Sequence, residues 1–263
     1  MEGRKLLIYF SIKYSGDWNK IYEAVSNSEE VDEKEAEKVV SNPKSKVVTI
    51  LDDDYPQQLK FARKPPFVLF YHGDISIIKD KHKAISVVGS RKNSQYGEEV
   101  TRYLVEDLCK ELVIVSGMAR GIDGIAHRAC IESGGKTVAV LGCGINVCYP
   151  PSNLDVYDEM RKNHLILSEY PDLVEPCPMN FPIRNRIIAA LSDCLLVTEG
   201  CKYSGTSITA SLTLESGGNV CCVPTHIGEN SVCNYLISYG AALVETVDDI
   251  YNEMDYHKNE TAF

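Results

Sequence analysis

Three arginine-bearing segments carry the chemistry most worth placing. They are Val87-Val-Gly-Ser-Arg91, Ser116-Gly-Met-Ala-Arg-Gly-Ile-Asp-Gly-Ile-Ala-His127 and Phe181-Pro-Ile-Arg-Asn-Arg186. Each follows, or nearly follows, a short β-branched run and opens a stretch of helical character. In an α/β sheet this order puts glycine backbone and guanidinium groups at the carboxyl ends of parallel strands, where amides at helix starts hold phosphate. Several such blocks converging on one edge point to a polyanion rather than to one small cofactor.

Taken singly, the blocks differ in what they offer. Gly89 allows a tight turn and close approach to an anion, Ser90 supplies a hydroxyl, and Arg91 offers a planar fork to phosphate. The Arg120 loop has neither the Gly-x-Gly-x-x-Gly spacing nor a Walker ending, so only its amides and Arg120 suggest anion binding. Asp123 and His127 are four apart and share a helix face. An acid–base dyad is conceivable there, but the favoured reading is a capping aspartate and a hydrogen-bonded structural histidine. In Leu141-Gly-Cys-Gly-Ile-Asn-Val-Cys-Tyr-Pro-Pro-Ser-Asn153, glycines permit a close turn and Ser152 is a candidate cap. Tyr149 either stacks on a base or wedges the loop.

Phe181 just ahead of Arg184 and Arg186 is the stacking-plus-charge pairing that single-stranded nucleic acid uses. The competing reading makes Phe181 core filler and places both arginines in ion pairs. Lys202, Ser204, Gly205, Thr206 and Ser207 form a polar turn into a helix, with Thr206 or Ser207 as cap and amides left for phosphate. Glu215, further along that helix, is either an acid group or an ordinary helix residue.

The elements that must position these groups are legible as pattern. Residues 5–45 read as helical, with Trp18, Ile21, Tyr22 and Val25 at helical spacing and a second helix over Val31–Val40 that ends before Asn42-Pro43. Apolar strand-like runs follow at 47–50 and 67–71, then at 85–88, 113–115, 137–142, 165–168, 194–199, 219–224 and 242–244. Amphipathic stretches lie between them, such as 97–110. Strands alternating with helices predict an α/β fold: a doubly wound, mainly parallel sheet covered on both faces. The expected organisation is a small helical domain over 1–45, an α/β domain over 46–250, and a tail over 251–263.

Charge is the main objection to a nucleic-acid partner. The chain has 263 residues and a formal net charge of −10, which disfavours bulk attraction to a polyanion. Acidic residues concentrate at 28–37, at Asp52-Asp-Asp54 and after Glu245, so any site must be a local groove. The ten cysteines include no Cys-x-x-Cys pair, so they read as reduced thiols rather than zinc ligands or disulfides. No metal or cofactor is called for. Nothing reads as a signal peptide or membrane span, and a cytoplasmic protein is expected.

Together the blocks resemble the DNA-processing protein A (DprA/Smf) family. The matching text is Val88-Gly-Ser-Arg91, Tyr96-Gly97, Val115 to Asp123, Ala126-His127, Val140 to Gly144, Tyr149-Pro150, Ser168-Glu169, Phe181 to Ala189, Ser204-Gly205, Ile208-Thr-Ala210, Val223-Pro224 and Gly240-Ala241. The resemblance implies an extended Rossmann-like domain over 46–250 behind a small helical, SAM-like domain over 1–45, in a non-catalytic protein that binds and protects single-stranded DNA in natural transformation. It also implies a homodimer that helps load the RecA recombinase. The family's DNA pocket maps to Gly89, Ser90, Arg91, Arg120, Phe181, Arg184, Arg186, Lys202, Ser204 and Gly205. Two departures stand out. A winged-helix domain found in many members is expected to be absent after Phe263, and Ser231-Val-Cys233 replaces a glycine usual before Asn234. The rival expectation is a nucleoside-monophosphate phosphoribohydrolase of the lysine-decarboxylase-like group, using Glu215 and Arg186. The Pro-Gly-Gly-x-Gly-Thr usual in that group is not present.

Overall fold

The computed structural model describes residues 2–41 and 44–260, with 255–260 as backbone only. The Asn42-Pro43 helix stop and residues 261–263 of the expected tail lie outside the described residues.

Three helices come first: α1 (Gly3–Lys13), α2 (Trp18–Ser26) and α3 (Glu33–Val40). Asp17 caps α2 by accepting from the amides of Asn19 and Lys20, and Asp32 caps α3 through Lys34 and Glu35. Much of the acidic run at 28–37 is thereby explained, since carboxylates favour a helix start. Tyr9, Phe10, Ile21, Ala24 and Ala36 form a small core among these helices. Leu7 and Ile8 of α1 leave that core and pack on the sheet with Val68, Phe70 and Ile166.

Among the described residues the sheet has nine strands: β1 (Lys46–Thr49), β2 (Val68–Gly73), β3 (Ala84–Gly89), β4 (Val113–Ser116), β5 (Thr137–Leu141), β6 (Leu165–Ser168), β7 (Cys194–Glu199), β8 (Asn219–Cys222) and β9 (Ala242–Leu243). Their order is β1-β2-β6-β5-β4-β3-β7-β8-β9. From β6 to β9 every pairing is parallel, while β2 joins β6 and β1 joins β2 antiparallel. The strands at 47–50 and 67–71 thus extend the sheet at one side. The chain steps from β3 through β4 and β5 to β6, then returns to the other side of β3 as β7. The β3–β7 boundary is therefore the topological switch point, whose carboxyl side is where open α/β sheets bind ligands.

One face of the sheet is covered by α7 (Asn180–Ala190), α8 (Gly205–Glu215) and α9 (Val232–Ser238), which contribute Ile187, Ile188, Ala210 and Val232 to its core. The other is covered by α4 (Gln95–Leu108), α5 (Ile122–Glu132), α6 (Leu154–Asn163), α10 (Val247–Glu260) and α1. The expected tail from 251 is instead the body of α10. Ile250 and Met254 are buried and Val247 and Tyr251 half-buried on the sheet, a helical spacing that makes this segment part of the fold.

Seven of the ten cysteines are buried and none is disulfide-bonded. Burial pushes the Cys143 thiol up to about 12, as expected for packing residues. Among the described residues no helix is long and apolar enough to cross a membrane.

Candidate nucleic-acid interface

The carboxyl ends of β3, β4, β5 and β7 bring four of the noted loops to one rim. Arg91 leaves the end of β3, exposed, and its guanidinium carbon lies 5.4 Å from the centroid of the Phe181 ring. Phe181, half-buried in the first turn of α7, also meets the Tyr149 ring at 5.6 Å with a tilt of 33°. Tyr149 is itself exposed. Arg91, Phe181 and Tyr149 thus form one chain of contacts, with the buried Arg184 guanidinium also 6.0 Å from the Phe181 centroid, and the exposed Arg91 and Tyr149 suit phosphate on guanidinium and bases on rings. Arg120 is exposed on the next loop, and Lys202 on the loop after β7 has its ammonium 5.1 Å from the Tyr235 ring. Tyr203 beside it is fully exposed, and an added Cβ at Gly205 would meet nothing within 4 Å. This stretch is open backbone at the start of α8.

The structure withdraws Arg184 and Arg186 from direct phosphate contact. Their residues are 4% and 6% exposed. The Arg184 guanidinium donates to the carbonyls of Gly117 (2.7 Å) and Val140 and, through Nε, to Asn185 Oδ1 (3.1 Å). It therefore ties α7 to the ends of β4 and β5. Arg186 is held bidentate by Glu169, at 2.6 and 2.5 Å. The reading that put these arginines in ion pairs applies to Arg186, while Arg184 is held mainly by carbonyl groups.

Several backbone groups expected to cradle phosphate are also taken. The buried Asp123 carboxylate accepts from the Gly117 and Ala119 amides at 3.2 and 3.3 Å. Burial raises its pKa, against the nearby Arg184 and the amide bonds, which lower it. Glu199 accepts from the Ser94 amide at 2.9 Å and the Ser94 hydroxyl at 3.0 Å, filling the N-terminus of α4 with the protein's own carboxylate. Ser90 Oγ closes a local turn, donating to the Lys92 carbonyl and accepting from the Lys92 amide. An added Cβ at Gly89 would sit 2.5 Å from Ile122, so that glycine serves close strand–helix packing rather than anion approach. The caps differ as well: the Asn153 side chain donates to the Met118 and Ala119 carbonyls, and Ser204, not Thr206 or Ser207, is the N-cap of α8.

Groups suited to bond chemistry have structural employment. His127 is buried, its Nδ1 is 2.7 Å from Thr137 Oγ1, and burial pushes its pKa down to about 3. Glu215 ends α8, about 15 Å along the helix from Gly205 at 1.5 Å per residue, and faces Arg63 at 3.8 Å. At Ser231 the hydroxyl accepts from the Asn234 amide, and the Asn234 side chain clasps both the amide and the carbonyl of Thr225. The last loop is therefore closed without the glycine usual in the family.

Sheet order and rim define a Rossmann-like α/β protein whose switch point presents cations and aromatic rings in place of a dinucleotide cradle. Residues 46–255 match the family model described as DNA recombination-mediator protein A, and the chain belongs to that family. It is 40% identical over 210 residues to the DNA processing protein DprA of Streptococcus pneumoniae, covering 79% of this chain and 74% of that one. It is 35% identical to Protein Smf of Escherichia coli, covering 82% and 59%. An X-ray structure of the Streptococcus pneumoniae protein is similar with a TM-score of 0.80 at 34% identity, covering 95% and 93% of the two chains. A structure of DNA processing protein A from Helicobacter pylori, whose title concerns its single-stranded DNA binding mode, is similar with a TM-score of 0.72 at 28% identity, covering 80% and 95%.

Proposed function

We propose that this protein binds single-stranded DNA along the rim formed by Arg91, Arg120, Phe181, Tyr149 and Lys202, and breaks no bond in doing so. The observation that carries this reading is the Tyr149–Phe181–Arg91 cluster, which brings aromatic rings and an exposed guanidinium side by side. Ser90, Ser204, Gly205 and Gly89 shape the loops that carry these groups. Arg184 and Arg186 act from beneath, by holding α7 in place. Family membership supports the same reading, as does the single-stranded DNA binding named for the Helicobacter pylori relative.

A net charge of −10 makes one rim a weak site, because only local cations offset the long-range repulsion. A homodimer engaging one strand at two rims would gain from effective concentration. The biological reading is protection of incoming single strands in natural transformation, in the cytoplasm, with hand-over to the RecA recombinase. The phosphoribohydrolase alternative is disfavoured by the position of Glu215 and the burial of Arg186.

The test is fluorescence anisotropy of labelled oligothymidine, single-stranded and paired with oligoadenosine, across a salt series. Binding that favours the single strand and weakens with salt supports the proposal. Equal affinity for both forms, or none at low salt, overturns it. Release of free base from nucleoside monophosphates would revive the alternative.

A further inference from the structure

We propose that Arg186 and Glu169 form a positioning pair that seats the N-terminal helices against the start of α7, so that Phe181 is held at the rim by contacts made outside it; this rests on the polynucleotide reading of that rim. The side chains of both partners are 7% exposed, and the guanidinium meets the carboxylate fork to fork. Such a pair is geometrically specific as well as strong. The same guanidinium donates to the Ile183 carbonyl at 3.0 Å, gripping the first turn of α7 beside Phe181, and through Nε to the Lys64 carbonyl at 2.9 Å. An arginine has five N–H donors, and four are committed to these bonds. Little is left for an outside phosphate.

From this pair two routes lead to the N-terminal helices. One passes through Glu169. Gly16, in the turn between α1 and α2, has φ +77°, and a Cβ there would lie 2.6 Å from the Glu169 carbonyl oxygen. Only glycine fits that turn against that backbone. The other passes through Lys64, a non-glycine residue at φ 56°. The Lys64 ammonium donates to Asn19 Oδ1 at 2.7 Å and sits 5.1 Å from the centroid of Trp18. The Trp18 indole N–H donates to the Pro65 carbonyl at 2.8 Å, and its ring stacks on Phe67 at 5.2 Å. The helical unit and the rim-bearing helix thus share one buried ion pair, and loosening either side moves the other.

The test separates positioning from phosphate contact. Removing one partner alone strands a buried charge and threatens folding, whereas an apolar pair of similar volume often folds normally. Glu169→Leu/Arg186→Met is therefore the first variant. Trp18→Phe is the second, removing the indole N–H and one ring of the bicycle within the N-terminal helices. For each, oligothymidine affinity is measured by anisotropy across salt, and the free protein carries 4-fluorophenylalanine at position 181 for fluorine NMR. We expect both variants to bind about 3- to 10-fold more weakly, in the range of coupling through contiguous contacts. The salt slope should stay at the wild-type value and the fluorine resonance should shift. A slope lower by about 0.7 in the double variant would make Arg186 a phosphate ligand and overturn the proposal. So would folded variants whose resonance and affinity match wild type. Absence of wild-type binding would instead refute the single-strand reading, while the resonance would still report on the pair.

Discussion

Arg91 and Phe181 meet across ninety residues of sequence, a guanidinium carbon 5.4 Å from a ring centroid. The contact joins the loop after β3 to the first turn of α7. It orients the arginine at the switch point while leaving it exposed. Charge and stacking are therefore delivered as one surface rather than as two independent contacts.

Replacing the ring tests the stacking half. Phe181→Ala should weaken oligothymidine binding by about 5- to 150-fold, corresponding to ~1–3 kcal/mol for one stacked base. Phe181→Tyr should restore most of it. Anisotropy at fixed salt decides, and unchanged affinity in Phe181→Ala removes the ring from the site.

The charge half has a different signature. Arg91→Ala should lower the slope of log affinity against log salt by about 0.7, as for one neutralised phosphate on a single strand. Because Arg91 is exposed, its loss should leave unfolding free energy within about 0.5 kcal/mol of wild type. An unaltered slope would mean that Arg91 contacts no phosphate.

Gly142 offers a substitution that alters no charge. A Cβ there would fall 2.7 Å from Phe181 Cδ1, so Gly142→Ala must push the ring off its place. Weaker binding with an unchanged salt slope is expected in the same titration. Wild-type affinity in a folded variant would show that the ring's exact seat is unimportant.

Glu199 sets an upper limit on rim affinity. Its carboxylate satisfies Ser94 at the start of α4 and puts a negative charge at the end of β7, whose backbone pairs with Gly89 at the end of β3. Glu199→Gln should lower stability by about 0.3–1 kcal/mol, the usual worth of a carboxylate at a helix start. It should also tighten oligothymidine binding at low salt, an effect that fades as salt screens it. Chemical denaturation and anisotropy measure the two effects, and weaker binding would contradict this placement.

His127 gives the fold a pH dependence. Burial lowers its pKa from 6.5 to about 3. Between those values the unfolded chain binds a proton that the folded chain refuses. The stability contributed by keeping His127 neutral is therefore fully present above 6.5 and lost as pH falls toward 3. The loss approaches about 1.4 kcal/mol per pH unit. His127→Asn should flatten the fall in unfolding free energy between pH 6 and 4. A slope equal to wild type would place the titration elsewhere.

The sequence and the structure agree where the controlling forces are local. Largely apolar runs such as Ile85 to Val88 and Leu195 to Val197 form buried parallel strands, and Asp17 and Asp32 cap helices within three residues of themselves. Arg91 is recognisable because it sits at a junction of strand, glycine and helix, and Phe181 because it stands just ahead of Arg184 and Arg186. The fates of Arg184 and Arg186 were not recognisable. Their partners Val140, Gly117, Lys64 and Glu169 lie 17 to 122 positions away, and no spacing rule connects them. Glu199 is similar, since its partner Ser94 is 105 positions earlier. The α10 helix is a different case. Val247, Ile250, Tyr251 and Met254 do carry a helical period, but the surrounding acidic residues disguised it as a tail.

Photocross-linking addresses the central claim most directly. An oligothymidine carrying 5-iododeoxyuridine is irradiated with the protein, and the attached peptides are identified by mass spectrometry. Rings that stack on a base should take the cross-link, so attachment at Phe181 or Tyr149, lost in competition with unlabelled single strand, is predicted. Cross-links confined to α10, or to the Gln57–Phe61 segment at the opposite end of the strands, would contradict the account.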